Sequence, residues 1–425
     1  MQEKWIIEGP RTLSGEVRIS GMKNAALPII FACLLNPEPC MLYNVPDVTD
    51  VHLSMKILQD AGAEVTRLGK NQWRVHAKCV SPGRSHPEDV QRLRASTYLM
   101  GTELGRCGKT EVARPGGCNF ADRPVDQHIK AFEALGALNL VGQDTLSLVA
   151  SDAGPGRLKG GTIIFDLESV GATCNAIMAS ALAEGTTIIE GAAREPHIVD
   201  LANFLNECGA DIKGAGTSVI RINGKETLHG CTYTVESDMI EAGTFLALVS
   251  STGGDVLLRD VIPQHLTSMT SKLRDMGVIL EESENSIRVI STGKIGPSQI
   301  TAKPYPAFPT DMQPQFVSIL ATAQGSSIVK DDVYPTRFQY TAELEKMGAS
   351  IKVENGAAYI KGVKQLKGAA VNAQDLRAGA ALLIAALRAA GKTELTGVDK
   401  IARGYEDFVE KLNRLGADIR IENNP

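Results

Sequence analysis

The stretch FLNECGADI at residues 204–212 joins a helix-like segment, a glycine and a short hydrophobic strand-like segment. The same pattern occurs six times, as LQDAGAEV (58–65), FEALGALNL (132–140), FLNECGADI (204–212), LRDMGVIL (273–280), LEKMGASI (344–351) and LNRLGADI (412–419). Its glycines are separated by 68 to 74 residues, which indicates a repeat architecture. Each glycine fits the position where a left-handed residue closes a helix before the next strand.

A second kind of helix, rich in alanine and apolar almost all round, is predicted between these segments. Its members lie at 23–45, 95–112, 171–191, 241–261, 311–331 and 375–398. A helix without a polar face is buried on every side. Each repeat therefore combines one buried helix, one amphipathic helix and about four short strands. The six repeats predict two domains of three repeats each, and the strand pair predicted in WIIEGPRTLSGEVRISG (5–21) is expected to close the second domain, which makes it discontinuous.

Composition excludes several classes of protein. The chain has 425 residues, 43% of them hydrophobic, and a formal net charge of −5, so neither a disordered chain nor a nucleic-acid partner is expected. The N-terminus MQEKWIIEGP lacks a signal-peptide pattern and the sequence has no membrane-length apolar run, which predicts a cytoplasmic protein with no membrane partner. The eight cysteines show no CxxC or Cys/His ligand spacing, so no metal site is predicted.

The segment RPGGCNFADRP (114–124) places Cys118 in a loop that proline and glycine keep out of regular structure. Arg114 and Arg123 flank it and favour the thiolate. Taken alone, such a segment more commonly contains a loop cysteine that has no catalytic or binding role.

Together with the repeat, a set of segments resembles the enolpyruvyl transferases. They are GMKNA (21–25), RAS (94–96), PGGC and RPVDQH within 115–128, SVGAT (169–173), REPHIVDLANFL (194–205), FPTDMQPQF (308–316), DLRAGAAL (375–382) and RGYE (403–406). The resemblance implies an inside-out α/β barrel, with buried helices and outer sheets in two similar domains. It assigns a lid-bearing domain to 22–232 and a second domain to 1–21 plus 233–425, with the active site in the cleft between them.

The resemblance also implies a reaction. The enolpyruvyl group of phosphoenolpyruvate is transferred to the 3′-hydroxyl of UDP-N-acetylglucosamine and phosphate is released, by addition and elimination and without a metal or organic cofactor. This is the first committed step of peptidoglycan synthesis and the target of fosfomycin. The two small molecules are the expected partners of a monomer or weak homo-oligomer.

Site residues are carried over from the matching motifs. Those implied to bind phosphoenolpyruvate are Lys23, Asn24, Arg94, Arg123, Arg337, Arg377 and Arg403. Those implied to bind the UDP-sugar are Asn24, Arg94, Arg123, Pro124, Val125, Asp126, Gln127, Ser169, Val170, Gly171, Asp311 and Val333. Within this set the resemblance implies that the segment with Arg123, Pro124, Asp126 and Gln127 brackets uracil, that the amides of the turn Ser169, Val170 and Gly171 face the diphosphate, and that Val333 makes a backbone contact to the nucleotide. The catalytic group is Cys118, Asp311, Lys23 and Arg403, in which Cys118 serves proton transfer at C3 and product release. Asp311 is the candidate base for the sugar hydroxyl, and equally fits an acid at a helix N-terminus.

The sequence departs from the family pattern at Ala121, Asp122, His197 and Leu167, which bear on lid motion and on the acceptor. Three alternatives therefore accompany the main interpretation. The first is an enolpyruvyl transferase with UMP as acceptor, and the second is a relative acting on shikimate 3-phosphate. The third is a non-catalytic UDP-sugar-binding paralogue, which the presence of Lys23, Cys118, Asp311 and Arg403 together disfavours.

Overall fold

The computed structural model describes residues 3–113, 125–141, 145–151 and 157–423. They form two compact units. One unit is Gly21–Glu236, and the other combines the chain up to Ser20 with the chain from Ser237 onward. Among the described helices, none is long and apolar enough to cross a membrane.

Helices and strands alternate along both units. The α-helices are α1 Lys23–Ala32, α2 Thr49–Asp60, α3 Pro87–Arg92, α4 Tyr98–Cys107, α5 Asp126–Ala134, α6 Val170–Ser180, α7 Pro196–Glu207, α8 Met239–Thr252, α9 Thr267–Asp275, α10 Gln313–Leu320, α11 Thr341–Lys346, α12 Leu376–Arg388 and α13 Phe408–Arg414. Short 3-10 helices cover Cys33–Leu35, Arg94–Thr97, Pro263–Leu266, Thr310–Met312 and Val398–Arg403.

The strands are short, as the repeat predicts. They are β1 Glu3–Gly9, β2 Leu13–Arg18, β3 Cys40–Tyr43, β4 Glu64–Gly69, β5 Gln72–His76, β6 Lys109–Ala113, β7 Ala137–Val141, β8 Thr145–Ala150, β9 Thr162–Ile164, β10 Thr186–Glu190, β11 Asp211–Lys213, β12 Val219–Asn223, β13 Thr232–Thr234, β14 Gly254–Arg259, β15 Ile279–Glu282, β16 Ser286–Ser291, β17 Gln299–Ala302, β18 Ser326–Asp331, β19 Ser350–Glu354, β20 Ala357–Lys361, β21 Ala370–Asn372, β22 Gly391–Thr396 and β23 Ile419–Asn423.

Within the described ranges these strands form six small sheets, three in each unit. Unit Gly21–Glu236 has the orders β13-β3-β5-β4, β6-β8-β7 and β11-β12-β10-β9. The other unit has β15-β16-β14-β2, β17-β18-β20-β19 and β21-β22-β1-β23. The two N-terminal strands, predicted as a pair, lie in different sheets: β1 pairs with β22 and β23, and β2 runs parallel to β14.

The six predicted buried helices are α1, α4, α6, α8, α10 and α12. Every residue of α8 is buried, including its threonines and serines, and α10 is buried throughout as well. Glycines let these helices pack closely: a Cβ on Gly101 of α4 would lie 2.5 Å from Asn175 Oδ1 of α6. Within each unit, the predicted architecture of enclosed helices and outer sheets is confirmed.

The repeated glycines end the amphipathic helices as predicted. Gly62, Gly136, Gly209, Gly277, Gly348 and Gly416 all have φ between +84° and +103°. At Gly277 the glycine N–H donates to the carbonyl of Arg274 at 2.9 Å, and the next N–H donates to Leu273 at 3.0 Å. These two hydrogen bonds satisfy carbonyl groups of the last turn of α9 and direct the chain into β15.

We expect Gly277→Ala to destabilise the fold through its backbone alone. A Cβ at this position meets nothing within 4 Å, but φ is +89°, and a left-handed residue with a Cβ costs about 1 kcal/mol. Gly296→Ala is the matched control, because its φ lies outside the left-handed region and its Cβ would make an ordinary 3.7 Å contact with the Met276 carbonyl. Urea midpoints should fall for the first variant only; equal midpoints would contradict the assigned turn.

Candidate active site

Asp311 lies between two buried arginines in the unit that contains the C-terminal half of the chain. Arg337 Nη1 donates to one carboxylate oxygen of Asp311 at 2.9 Å, and Arg377 Nη2 donates to the other at 2.9 Å. The arginine side chains are 3% and 5% exposed, whereas that of Asp311 is 26% exposed. One carboxylate therefore balances two buried cations and still reaches the surface.

Helix starts hold these side chains in place. Asp311 belongs to the 3-10 turn Thr310–Met312, directly before α10, which agrees with its predicted helix N-terminal position. Arg377 is the second residue of α12, and the N-cap Asp375 accepts a hydrogen bond from its backbone N–H at 2.8 Å. The contact between Asp311 and Arg377 thus joins the starts of α10 and α12.

The two guanidinium groups determine the protonation state of Asp311. Burial raises the pKa of this carboxyl, but the charges of Arg377 and Arg337 outweigh burial and hold the pKa well below its usual range. For Arg377, burial lowers the pKa, but the charge of Asp311 raises it above its usual value. Asp311 is therefore an ionised carboxylate, and a weak base while both arginines contact it.

We call the ion-paired Asp311, Arg337 and Arg377 the clamp. Asp331 orders the chain segment beside it. It accepts hydrogen bonds from Thr310 Oγ1 at 2.6 Å and from the backbone N–H groups of Val333 at 2.9 Å and Tyr334 at 2.7 Å. Arg337 Nη1 in turn donates to Thr310 Oγ1 at 3.1 Å. Because the Val333 N–H is used within the protein, the predicted backbone contact to the nucleotide would have to use its carbonyl oxygen.

Tyr405 connects the RGYE segment to the clamp. Arg403 is the last residue of the 3-10 helix before it and is partly exposed. The buried Tyr405 hydroxyl lies 2.9 Å from Thr244 Oγ1 and 3.5 Å from Arg377 Nη1. The sequence motif contained Tyr405, but its position behind Arg377 was not predicted.

In the other unit, Lys23 forms an ion pair with Asp50. Lys23 is the first residue of α1, and its Nζ lies 3.3 Å from Asp50 Oδ2 on α2. The two side chains are 13% and 6% exposed. Asp50 was not singled out from the sequence, although an acidic residue on the buried face of an amphipathic helix is a usable signal.

His128, the last residue of RPVDQH, belongs to a buried network. Asn175 Oδ1 accepts from the backbone N–H of Gly101 at 2.9 Å, which fixes the amide orientation, and its Nδ2 donates to Thr97 O at 3.0 Å and to His128 Nδ1 at 2.8 Å. The proton of the neutral ring is therefore on Nε2. A Cβ on Gly171 would lie 3.2 Å from Nε2, so the ring lies against the first turn of α6.

The predicted diphosphate turn is the start of α6. Ser169 is the N-cap, and its side chain accepts from the Ala172 N–H at 3.4 Å. Val170 and Gly171 form the first turn, where free backbone N–H groups of a helix favour an anion.

The predicted uracil segment is held by α5. Val125 is the residue before the helix, and Asp126 and Gln127 begin it. Gln127 Nε2 donates to Asp166 Oδ2 at 3.2 Å, and its Oε1 accepts from the Asp166 N–H at 3.1 Å. Gln127 thus fixes the segment, and its Nε2 also donates to Oδ2 of the exposed Asp126 at 3.0 Å.

Several of the predicted residues, though not Val333, Arg337 or Arg403, lie at the start of a buried helix. Lys23 and Asn24 begin α1, Arg94 begins the 3-10 turn before α4, Ser169 caps α6, Asp311 precedes α10 and Arg377 begins α12. Helix starts carry positive potential, so this common location suits anionic substrates.

Several predictions lie outside the described residues, namely Cys118, Arg123, Pro124 and the departures Ala121 and Asp122. The other two departures are described. His197 is a buried residue of α7, 8% exposed, and Leu167 is 59% exposed two residues before the Ser169 cap.

We expect His128 to make stability depend on pH. Burial, with the charge of Arg94, lowers its pKa to about 3. The unfolded imidazole titrates near 6.5, so the stabilisation is complete above that pH and is lost as the pH falls toward 3, by about 2 kcal/mol at pH 5. The melting temperature of His128→Gln, which keeps an acceptor for Asn175, should fall less between pH 7.5 and pH 5 than that of the wild type. Equal decreases would contradict this assignment.

Comparisons with known proteins identify the family. The family model of EPSP synthase (3-phosphoshikimate 1-carboxyvinyltransferase) matches residues 7–412. The UDP-N-acetylglucosamine 1-carboxyvinyltransferase 2 of Carboxydothermus hydrogenoformans is 48% identical over 98% of this chain and 99% of the relative. The UDP-N-acetylglucosamine 1-carboxyvinyltransferase of Clostridium botulinum is 46% identical over 97% of this chain and 98% of its own length.

Solved structures agree in fold. The enolpyruvyl transferase NikO from Streptomyces tendae superposes with a TM-score of 0.89 at 26% identity, with both chains covered completely. EPSP synthase from Acinetobacter baumannii gives a TM-score of 0.75 at 19% identity, again covering both chains completely, and supports the fold alone. The chain belongs to the EPSP synthase family of enolpyruvyl (carboxyvinyl) transferases.

Proposed function

We propose that this chain transfers the enolpyruvyl group of phosphoenolpyruvate to the 3′-hydroxyl of UDP-N-acetylglucosamine, with release of phosphate. The observation that carries the proposal is the carboxylate of Asp311 clamped by Arg337 and Arg377 at 2.9 Å each. This arrangement combines a candidate base with fixed cations for an anionic substrate. Near full-length identity of 48% to a UDP-N-acetylglucosamine 1-carboxyvinyltransferase supports this acceptor.

The charges fit the substrates. Phosphoenolpyruvate carries a phosphate and a carboxylate, and arginine binds both bidentately. Arg337 and Arg377 are on one unit, and Lys23 and Arg94 are on the other. We propose that these groups act on the same substrates, with Arg403 and with Arg123 of the RPVDQH segment.

The clamp also suggests how the base becomes active. With both arginines in contact, Asp311 has a pKa too low for efficient proton abstraction. A phosphate or carboxylate that draws either guanidinium toward itself weakens that contact and raises the pKa of Asp311. Binding of phosphoenolpyruvate would thereby prepare the carboxylate to accept the proton of the sugar hydroxyl.

The chemistry then follows from proton transfers. Protonation of C3 of phosphoenolpyruvate makes C2 electrophilic, and the sugar hydroxyl attacks C2 as Asp311 accepts its proton. Loss of a proton from C3 then expels phosphate and restores the double bond. We propose Cys118 for the proton transfer at C3, and the start of α6 at Ser169, Val170 and Gly171 for the diphosphate of the acceptor.

The cellular setting is part of the proposal. The reaction would be the first committed step of peptidoglycan synthesis. We propose a cytoplasmic enzyme, monomeric or weakly self-associating, with domains at 22–232 and at 1–21 plus 233–425.

Asp311→Asn should lower kcat by about 100-fold or more, a usual contribution of a general base. It should also lower the melting temperature, because Arg337 and Arg377 lose their counter-charge, at an expected cost on the order of 2 kcal/mol for a partly exposed carboxylate. Steady-state phosphate release and thermal unfolding measure the two effects.

Asp255→Asn is the matched control for this variant. Asp255, like Asp311, accepts two hydrogen bonds from guanidinium groups, but both come from Arg288, at 2.8 and 2.7 Å. Both of these side chains are 46% exposed. Its replacement should leave kcat unchanged and lower the melting temperature much less than Asp311→Asn does, because solvent screens an exposed ion pair. Near-normal kcat in Asp311→Asn would show that another group takes the hydroxyl proton.

UDP-N-acetylglucosamine should support phosphate release from phosphoenolpyruvate, and UMP and shikimate 3-phosphate should not. The physical reason is that the diphosphate site proposed at the start of α6 would be filled by neither alternative acceptor. Parallel assays with the three acceptors decide the question. Turnover with UMP at or above that with the UDP-sugar would favour the UMP-using alternative, and absence of turnover with all three would favour the non-catalytic paralogue.

A further inference from the structure

Three cysteines far apart in the sequence meet in unit Gly21–Glu236. Cys40 begins β3, Cys208 is the residue after α7, and Cys231 directly precedes β13. Their sulfur atoms all lie within 4.8 Å of one another, and those of Cys208 and Cys231 are 3.3 Å apart. Among the described residues this is the one group of three or more ligand-type side chains with such spacing.

Asn36 shows that the cluster is polar. Its Nδ2 lies 3.1 Å from Cys40 Sγ, 3.6 Å from Cys208 Sγ and 2.7 Å from the carbonyl of His229. An amide donor directed at two sulfurs stabilises negative charge on them, whereas a cysteine in an apolar core has no such donor.

We propose that Cys40, Cys208 and Cys231 form a site for a thiophilic d10 metal ion, unrelated to enolpyruvyl transfer. Three thiolates around one ion with bonds of about 2.3 Å place their sulfurs about 3.8–4.0 Å apart. The distance between Cys208 Sγ and Cys231 Sγ is 3.3 Å, and all three sulfurs lie within 4.8 Å of one another, so only small side-chain adjustments are needed. Cys40 and Cys208 are buried, while Cys231 is partly exposed, so an ion and a water as fourth ligand can enter beside Cys231.

An ion at this position would connect three elements that close the unit. β13 runs parallel to β3, and the Met41 N–H donates to the Cys231 carbonyl at 2.8 Å. The metal would add a link from both strands to the end of α7. It should therefore stabilise the folded chain, since a ligand bound to the native state raises its unfolding free energy.

The spacing argument from the sequence predicted no metal site. That argument considers ligands close together in the chain, such as CxxC. Here the ligands are separated by more than 160 residues between Cys40 and Cys208, so only the fold brings them together.

The test uses Cd²⁺ as the probe with the full-length, tris(carboxyethyl)phosphine-reduced protein. We expect one equivalent to produce the ultraviolet thiolate-to-cadmium charge-transfer band and to raise the melting temperature. Cys208→Ser and Cys231→Ser should each weaken Cd²⁺ binding at least about tenfold, because each removes one of three ligands. Cys79→Ser, which changes an exposed cysteine outside the cluster, should bind as the wild type does.

Two variants keep the test decisive if one of them folds poorly, because the partly exposed Cys231 tolerates serine more readily than a buried position. Circular dichroism without metal establishes that each variant is folded. Absence of the band, or equal Cd²⁺ affinity in wild type, Cys208→Ser and Cys231→Ser, would overturn the proposal. A protein that forms a Cys208–Cys231 disulfide in air, and that binds no Cd²⁺ after the disulfide is reduced, would also overturn the proposal.

Discussion

Helices that are apolar on every side can exist in water only when other elements enclose them completely. In this protein α8 and α10 are buried over their whole length, and α12 is buried from Leu376 to Leu387. Small sheets and amphipathic helices supply the enclosure, and each amphipathic helix must end sharply so that the chain can return as a strand. The repeated left-handed glycines make that turn possible.

The same constraint determines where chemistry can occur. The sides of a buried helix are closed to a ligand, so its accessible part is its end. Asp311, Arg377 and Lys23 all lie at such starts, where unsatisfied N–H groups and capping residues already create a polar environment. A fold with many enclosed helices therefore offers several positive helix ends for polyanionic substrates.

The clamp makes the Asp311 carboxylate a weaker base. Two buried guanidinium groups keep the carboxylate ionised and in place, but they lower its pKa. In the proposed mechanism, substrate binding would have to change these surroundings before Asp311 could act as a base. The ion pair of Lys23 with Asp50 likewise places a carboxylate against a cation predicted to bind substrate, and here both side chains are largely buried.

The sequence alone determined the repeat, the helix types and the residues at the helix starts. These are local properties: a glycine that closes a helix, an apolar periphery, and motifs such as FPTDMQPQF that can be read over a few residues. Only the tertiary structure showed that Arg337 and Arg377 share Asp311, that Asp50 holds Lys23, and that His128 lies under α6. It also brought together Cys40, Cys208 and Cys231, whose spacing in the sequence does not indicate that they meet. The physical reason is that pKa values and ligand sets depend on distances through space, which packing between remote segments decides and local sequence patterns do not contain.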